Sequence, residues 1–176
     1  MSESLRLADF LPHRPPMIML AELISVDVPG VASAVPDTSP NCIFYDPELK
    51  GVPACAALEY MAQTMALAVG AEHRRRGVAP KVGFVLGTRR MEVKVATFES
   101  GKRYVANAKC VYDDDAFASF DCSIMDPDGA TVATALFTAY QPPESVLEQG
   151  EVTLEGGKVE GWKSGRVSEA ERDDGE

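Results

Sequence analysis

From residue 51 to residue 71 (GVPACAALEYMAQTMALAVGA) the chain is apolar almost without interruption, and Leu58, Met61, Met65, Leu67 and Val69 are spaced as in a buried helix. Pro53 occupies the first-turn position, where a proline costs no hydrogen bond, and Gly77 follows Arg76 as a stop signal. The helix so predicted has about 23 residues and would measure ~35 Å at ~1.5 Å per residue.

Elsewhere the period shortens. SLRLADF reads as a short helix ended by Leu11-Pro12, PMIMLAELISVDV as a strand stopped at Pro29-Gly30, VASAVPD as a weaker second strand, and residues 38 to 52 as loop. After the helix come four extended segments: KVGFVLGTRRMEVKV, KRYVANAKCVYDD, FASFDCSIMDPDG and TVATALFTAYQ. Phe120, Cys122 and Ile124 alternate with Ser119, Asp121 and Ser123, which is the period of a half-buried antiparallel strand. Strand, strand, long helix and a four-strand meander predict an α+β fold in which one antiparallel sheet wraps around one long central helix.

At 176 residues and 45% hydrophobic, the chain suits one domain with a real core. The formal charge is -10, and from Glu144 onward ten acids face four bases. We therefore expect a folded domain over residues 1–142 and an acidic, mobile tail over 143–176, too poor in apolar residues to bury itself. So acidic a chain makes nucleic acid an unexpected partner. Glu59 interrupts the best candidate for a membrane span, and the N-terminal residues lack the order of a secretory signal, so a cytoplasmic location is expected and no membrane association. Cys42, Cys55, Cys110 and Cys122 show neither metal-ligand spacing nor a disulfide framework, and no metal or cofactor is expected.

That leaves Glu59 to explain. A carboxylate taken out of water is costly unless paired or hydrogen-bonded, so an acid on an apolar helix needs a partner or a task. Basic residues gather at His73, Arg74, Arg75 and Arg76 and again at Arg89 and Arg90. They either complement the helix C-terminus and face solvent as strand residues, or form a patch for an acidic partner.

LPHRPPM at 11–17 and PACAALEYMAQ at 53–63 resemble the two signature stretches of hotdog-fold 3-hydroxyacyl-acyl-carrier-protein dehydratases, LPHRYP and PG(V/I)LxxEAMAQ, and FVLGTRRMEVKV is similar to that family's FVGxxKxRFR strand. The wording GVPA, EYMAQ and LGTRR is most similar to the divergent branch from aryl polyene clusters. The resemblance implies a hotdog fold, dehydration of 3-hydroxyacyl thioesters to trans-2-enoyl thioesters, acyl carrier protein as a partner, and a homodimer or a pairing with a related hotdog subunit. One departure matters. The family's GHFP-loop histidine, its catalytic base, stands fourteen residues before the helix acid, and here that position is Tyr45.

Dehydration requires a base for the C2 proton and an acid for the departing hydroxyl. Glu59 is the expected acid, since apolar surroundings favour a protonated carboxyl. His13 is the candidate base; the competing reading has it only hydrogen-bonding the backbone. His73, among arginines at the far end of the helix, is expected to be a solvated cap. Gln63, at i+4 from Glu59, would orient the carboxyl. Tyr45 could position substrate, and Ala54, in the place of the family's glycine, would offer its amide to the thioester carbonyl. Phe84 and Leu86 are expected to line the acyl tunnel, and Arg74, Arg75, Arg76, Arg89 and Arg90 to dock the acidic carrier protein. A thioesterase on the same fold and a non-catalytic partner subunit are the rival readings.

Overall fold

The computed structural model describes residues 6–27, 29–114 and 116–142, the side chain of Arg89 excepted. The expected acidic tail, residues 143–176, lies outside the described residues. Six strands form one antiparallel sheet: β1 (Leu20–Asp27), β2 (Val31–Pro36), β4 (Phe84–Val93), β6 (Val105–Asp113), β7 (Phe117–Met125) and β8 (Thr131–Tyr140). Their spatial order is β1-β2-β6-β7-β8-β4. The helix α1 (Ala57–Arg75) packs against β1, β2, β6, β7 and β8, so the sheet wraps it as the sequence pattern predicts.

The close approach of helix and sheet has a simple cause. Ala32 and Ala34 of β2, Ala106 and Ala108 of β6, and Ala133 and Ala135 of β8 are all buried, and such short side chains let the helix lie near the backbone. Larger groups fill the remaining space, above all Tyr60, Met61, Phe98, Phe120 and Phe137. Tyr60, Phe98 and Tyr104 meet edge to face with centroids 5.4 and 5.1 Å apart.

The helix ends where the glycine signal puts it. Gly77 has φ 73°, its amide donates to the Arg74 carbonyl at 3.0 Å, and the Val78 amide donates to the His73 carbonyl at 3.0 Å. This pair of bonds is a Schellman cap, which satisfies two of the carbonyls that the last turn leaves without partners. At the other end a 3-10 turn (Ala54–Ala56) precedes α1.

Four details depart from the sequence-based expectation. The N-terminal helix is a single 3-10 turn (Leu7–Asp9). The last strands are not a four-strand meander: β6, β7 and β8 follow one another, while β4 crosses over to pair with β8 at the sheet edge. Two three-residue strands, β3 (Gly51–Pro53) and β5 (Thr97–Glu99), make a separate small sheet beside the helix start. On α1 itself Leu58 is exposed and Val69 half-buried, so the apolar run is a stripe rather than a fully buried rod.

Candidate active site

The site begins with the N-terminal segment, which is held down before it reaches His13. Phe10 and Leu11 are buried, and the Phe10 backbone lies so close to Gly70 of α1 that a side chain there would meet the Phe10 carbonyl. The Arg14 guanidinium then folds back and donates to the carbonyls of Leu11 at 3.0 Å and His13 at 2.7 Å.

Gln63 joins this segment to the helix. Its carboxamide oxygen accepts from the Met19 amide at 2.9 Å, and its nitrogen donates both to the Met17 carbonyl and to Glu59 Oε1, each at 2.7 Å. The side chain is 1% exposed, and one residue thereby fixes the chain beyond His13 and the carboxyl at once. The i+4 spacing anticipated its bond to Glu59; its hold on residues 17 and 19 was not visible in the sequence.

His13 Nε2 and Glu59 Oε1 face each other at 4.0 Å. That is too long for a direct hydrogen bond, and short enough for one oxygen seated beside the pair, a substrate hydroxyl or a water, to reach both. Because Gln63 already donates to Oε1, an acidic proton on Glu59 belongs on Oε2. His13 Nδ1 is buried without a hydrogen-bond partner among the described residues. The expectation that Glu59 is enclosed by apolar side chains is corrected: its side chain is 33% exposed, and the exposed part opens onto a groove.

This groove, about 200 Å³, runs along α1 and is lined by His13, Glu59, Ala62, Gln63, Ala66, Gly70 and His73 on one side and by residues of β4, β7 and β8 on the other. His73 is therefore not a solvated cap. It is 8% exposed, its Nδ1 receives the Lys81 amide at 3.4 Å, and its Nε2 stands 3.3 Å from Gln141 Oε1. Burial, aided by the charges of Lys81 and Arg76, holds its imidazole below the ordinary value. Residues 59, 62, 63, 66, 70 and 73 recur at helical spacing, a signal that would have placed His73 on this face.

Several other expected site residues stand elsewhere. The Ala54 amide is not free for a thioester carbonyl: it donates to the Ala96 carbonyl at 3.0 Å, because the unexpected pairing of β3 with β5 continues one residue into the helix start. Tyr45 packs half-buried beside a shallow depression between Ile43 and Pro53 and does not line the groove. Phe84 and Leu86 are 50% and 57% exposed and point away from it, whereas Val85 lines it. Alternate strand residues face opposite sides, so the expectation for β4 was one residue out of phase.

The basic cluster is partly neutralised within the chain. Glu72 accepts from Arg75 and from Arg76, each at 2.6 Å, and these bonds, Arg75's first, pull its carboxyl down to about 2. Arg74 lies over the Phe10 ring at 5.8 Å. Arg90 is exposed, and the side chain of Arg89 is outside the described residues. Among the described residues no group of three or more His, Cys, Asp or Glu is placed to hold a metal ion, and no helix is long and apolar enough to cross a membrane.

A sheet wrapped around one helix, with a histidine and a carboxyl set across the mouth of an apolar groove, defines a hotdog-fold enzyme. The family model for ApeP-like proteins, described as ApeP dehydratase, matches residues 5–149, and the chain belongs to this family of dehydratases. Among curated proteins none matches the chain. The dehydratase heterocomplex ApeI:P from Xenorhabdus doucetiae is similar at 26% identity and a TM-score of 0.75, covering 84% of this chain and 97% of that one. More distant similarity, of fold alone, extends to the PaaI protein of the Escherichia coli phenylacetic acid degradation operon, with 15% identity, a TM-score of 0.53, and 68% and 82% of the two chains covered. A hypothetical thioesterase with coenzyme A from Streptococcus pneumoniae is alike at 14% identity and a TM-score of 0.53, over 69% of this chain and 84% of that one. These findings bear out the resemblance to hotdog dehydratases read from the two signature stretches.

Proposed function

We propose that the chain dehydrates 3-hydroxyacyl thioesters borne on acyl carrier protein to trans-2-enoyl thioesters, in fatty acid or aryl polyene type biosynthesis, in the cytoplasm. The observation that carries this reading is the facing of His13 Nε2 and Glu59 Oε1 at 4.0 Å where the groove begins. With the acyl chain in the groove, the C2 proton passes to His13 Nε2, the C2–H electron pair becomes the C2=C3 double bond, and the C3–O bond breaks. The leaving hydroxyl takes the Glu59 proton and departs as water. Return of one proton from His13 to Glu59 resets the pair. Gln63 holds the carboxyl in place throughout by its donation to Oε1.

The same reading makes the chain one half of a pair, with a second copy or with a related hotdog subunit. The heterocomplex of the ApeI:P dehydratase and the exposed apolar residues Phe84 and Leu86 on the edge strand β4 support it. Arg90 and the cluster at Arg74, Arg75 and Arg76 offer positive charge to an acidic carrier protein, and Arg89 would join them.

The test is the mass of the thioester-bound product formed from a 3-hydroxyacyl carrier protein, with the protein alone and with any co-encoded hotdog subunit. Loss of one water with the thioester intact is expected; a hydrolysed thioester would assign a thioesterase instead. Glu59→Gln should abolish dehydration with the fold retained, and His13→Ala should lower kcat by ~100-fold or more, as expected for loss of a general base. Tyr45→Phe should cost far less. Full turnover in His13→Ala together with loss in Tyr45→Phe would move the base to the loop.

A further inference from the structure

The groove changes character along its length. Its helix wall carries Glu59 at one end and His73 at the other, fourteen residues apart and so ~21 Å at ~1.5 Å per residue. Between them the lining is apolar, from Ala66, Val69 and Gly70 on the helix to Val85, Phe120 and Ala139 on the sheet. At the far end polar groups return as His73, Lys81, Asp113, Tyr140 and Gln141, of which Lys81 and Asp113 are already engaged by partners.

The hydrogen bonds there are incompletely used. Because the Lys81 amide donates to His73 Nδ1, the proton of the neutral ring sits on Nε2, which donates to Gln141 Oε1. This occupies the carbonyl of Gln141 and leaves its NH2 group, and the hydroxyl of Tyr140, without partners among the described residues. His73 and Gln141 also line a second cavity, which takes in Glu72, Arg75 and Arg76, so the pair stands between the two spaces. Apolar side chains would close an acyl slot equally well. Free donors at its end instead penalise a methyl terminus, which buries them unpaired.

We propose that this end wall is a subsite for the far end of the substrate chain, where Gln141 and Tyr140 select acyl thioesters ending in an uncharged hydrogen-bonding group, a hydroxyl or a carbonyl, over those ending in methyl. The subsite rests on the acyl-thioester reading of the groove. The neutral His73 ring serves as a positioning residue that turns the amide of Gln141 toward the slot.

Binding tests it without requiring turnover. Saturated acyl thioesters of N-acetylcysteamine, in matched pairs with terminal hydroxyl or terminal methyl and graded chain length, are titrated calorimetrically into the full-length protein together with any co-encoded hotdog subunit. At the length that reaches His73 the hydroxyl member should bind about 10-fold more tightly, the worth of one good hydrogen bond at a desolvated site, and shorter pairs should not differ. The double variant Tyr140→Phe, Gln141→Leu should bring the ratio to about one, with folding checked by circular dichroism. Equal binding at every length, or an unchanged ratio in the double variant, would overturn the subsite. Turnover of the corresponding 3-hydroxy compounds is measured apart: preference without dehydration would sink the dehydratase reading and leave the subsite standing.

Discussion

Replacing Gln63 by leucine would test the joint between the N-terminal segment and the helix. The substitution keeps nearly the same volume, so the cavity contribution is small, and its cost comes from the three hydrogen bonds. Met19 is 1% exposed, and its amide would become a buried donor without an acceptor, at about 1–3 kcal/mol. Met17 is 47% exposed, so water can replace the lost donor to its carbonyl at about 0–1 kcal/mol. Destabilisation of about 1–4 kcal/mol follows, a large share of the 5–15 kcal/mol typical of a domain, and a fall in melting temperature of about 2–4 °C per kcal/mol for a chain of this size. Activity should fall further than stability explains, because the segment that carries His13 loses its tether. Gln63→Glu sharpens the test: it keeps an oxygen for the Met19 amide but sets a second oxygen against the Met17 carbonyl and Glu59. That variant should be less stable than Gln63→Leu at pH 7 and recover as acid protonates it. Urea unfolding followed by circular dichroism, at one protomer concentration, measures both. A loss below about 0.5 kcal/mol with unchanged kcat in Gln63→Leu would refute the joint.

Gly70→Ala should destabilise by about 1–3 kcal/mol or more, since the yielding partner is the Phe10 backbone and not a flexible side chain, and thermal unfolding reads it directly. For His73 the unfolded chain binds its proton more readily than the folded one, because burial lowers the native imidazole from 6.5. Its contribution to stability is therefore complete above pH 6.5 and lost as pH falls below that value. Denaturation midpoints at pH 7.5 and 5 should fall more steeply in the wild type than in His73→Gln.

The helix was legible because its signals are local: Gly77 sits two residues past its finish, Gln63 lies one turn from Glu59, and Pro53 marks its start only to within four residues, because a 3-10 turn intervenes before Ala57. The six principal strands were legible for the same reason, as extended segments between local turn signals, with the period of two plain on β7. Pairing partners were not, because nothing in the residues of β4 says that it joins β8 and leaves β6 to pair with β2. The small β3–β5 sheet has three residues per strand, too few to show a period, yet it takes the Ala54 amide that sequence reasoning had left for substrate. On β4 the shifts in register between Val85 and Gly87 and between Thr88 and Arg90 break the alternation, so the inward residue could not be chosen by counting. His73 was misplaced for another cause: beside three arginines its side chain looked like a solvated one, and only the face of the helix decides otherwise.

The single helix α1 carries the Glu59 carboxyl, the Gln63 amide that orients it and most of one wall of the groove, spaced by turns of ~5.4 Å. Under the proposed function, chemistry and substrate length fall to separate positions on one rod, 59 and 63 for the first and 66, 70 and 73 for the second. Gly70 and His73 lie about two turns or more from Glu59 and Gln63, beyond the distance at which substitutions couple strongly, so changes there should combine additively with changes at 59 and 63, whereas Ala66, within one turn of Gln63, should couple to it. An enzyme laid out in this way can be retuned to longer or shorter chains one helical turn at a time, while the reaction it performs stays the same.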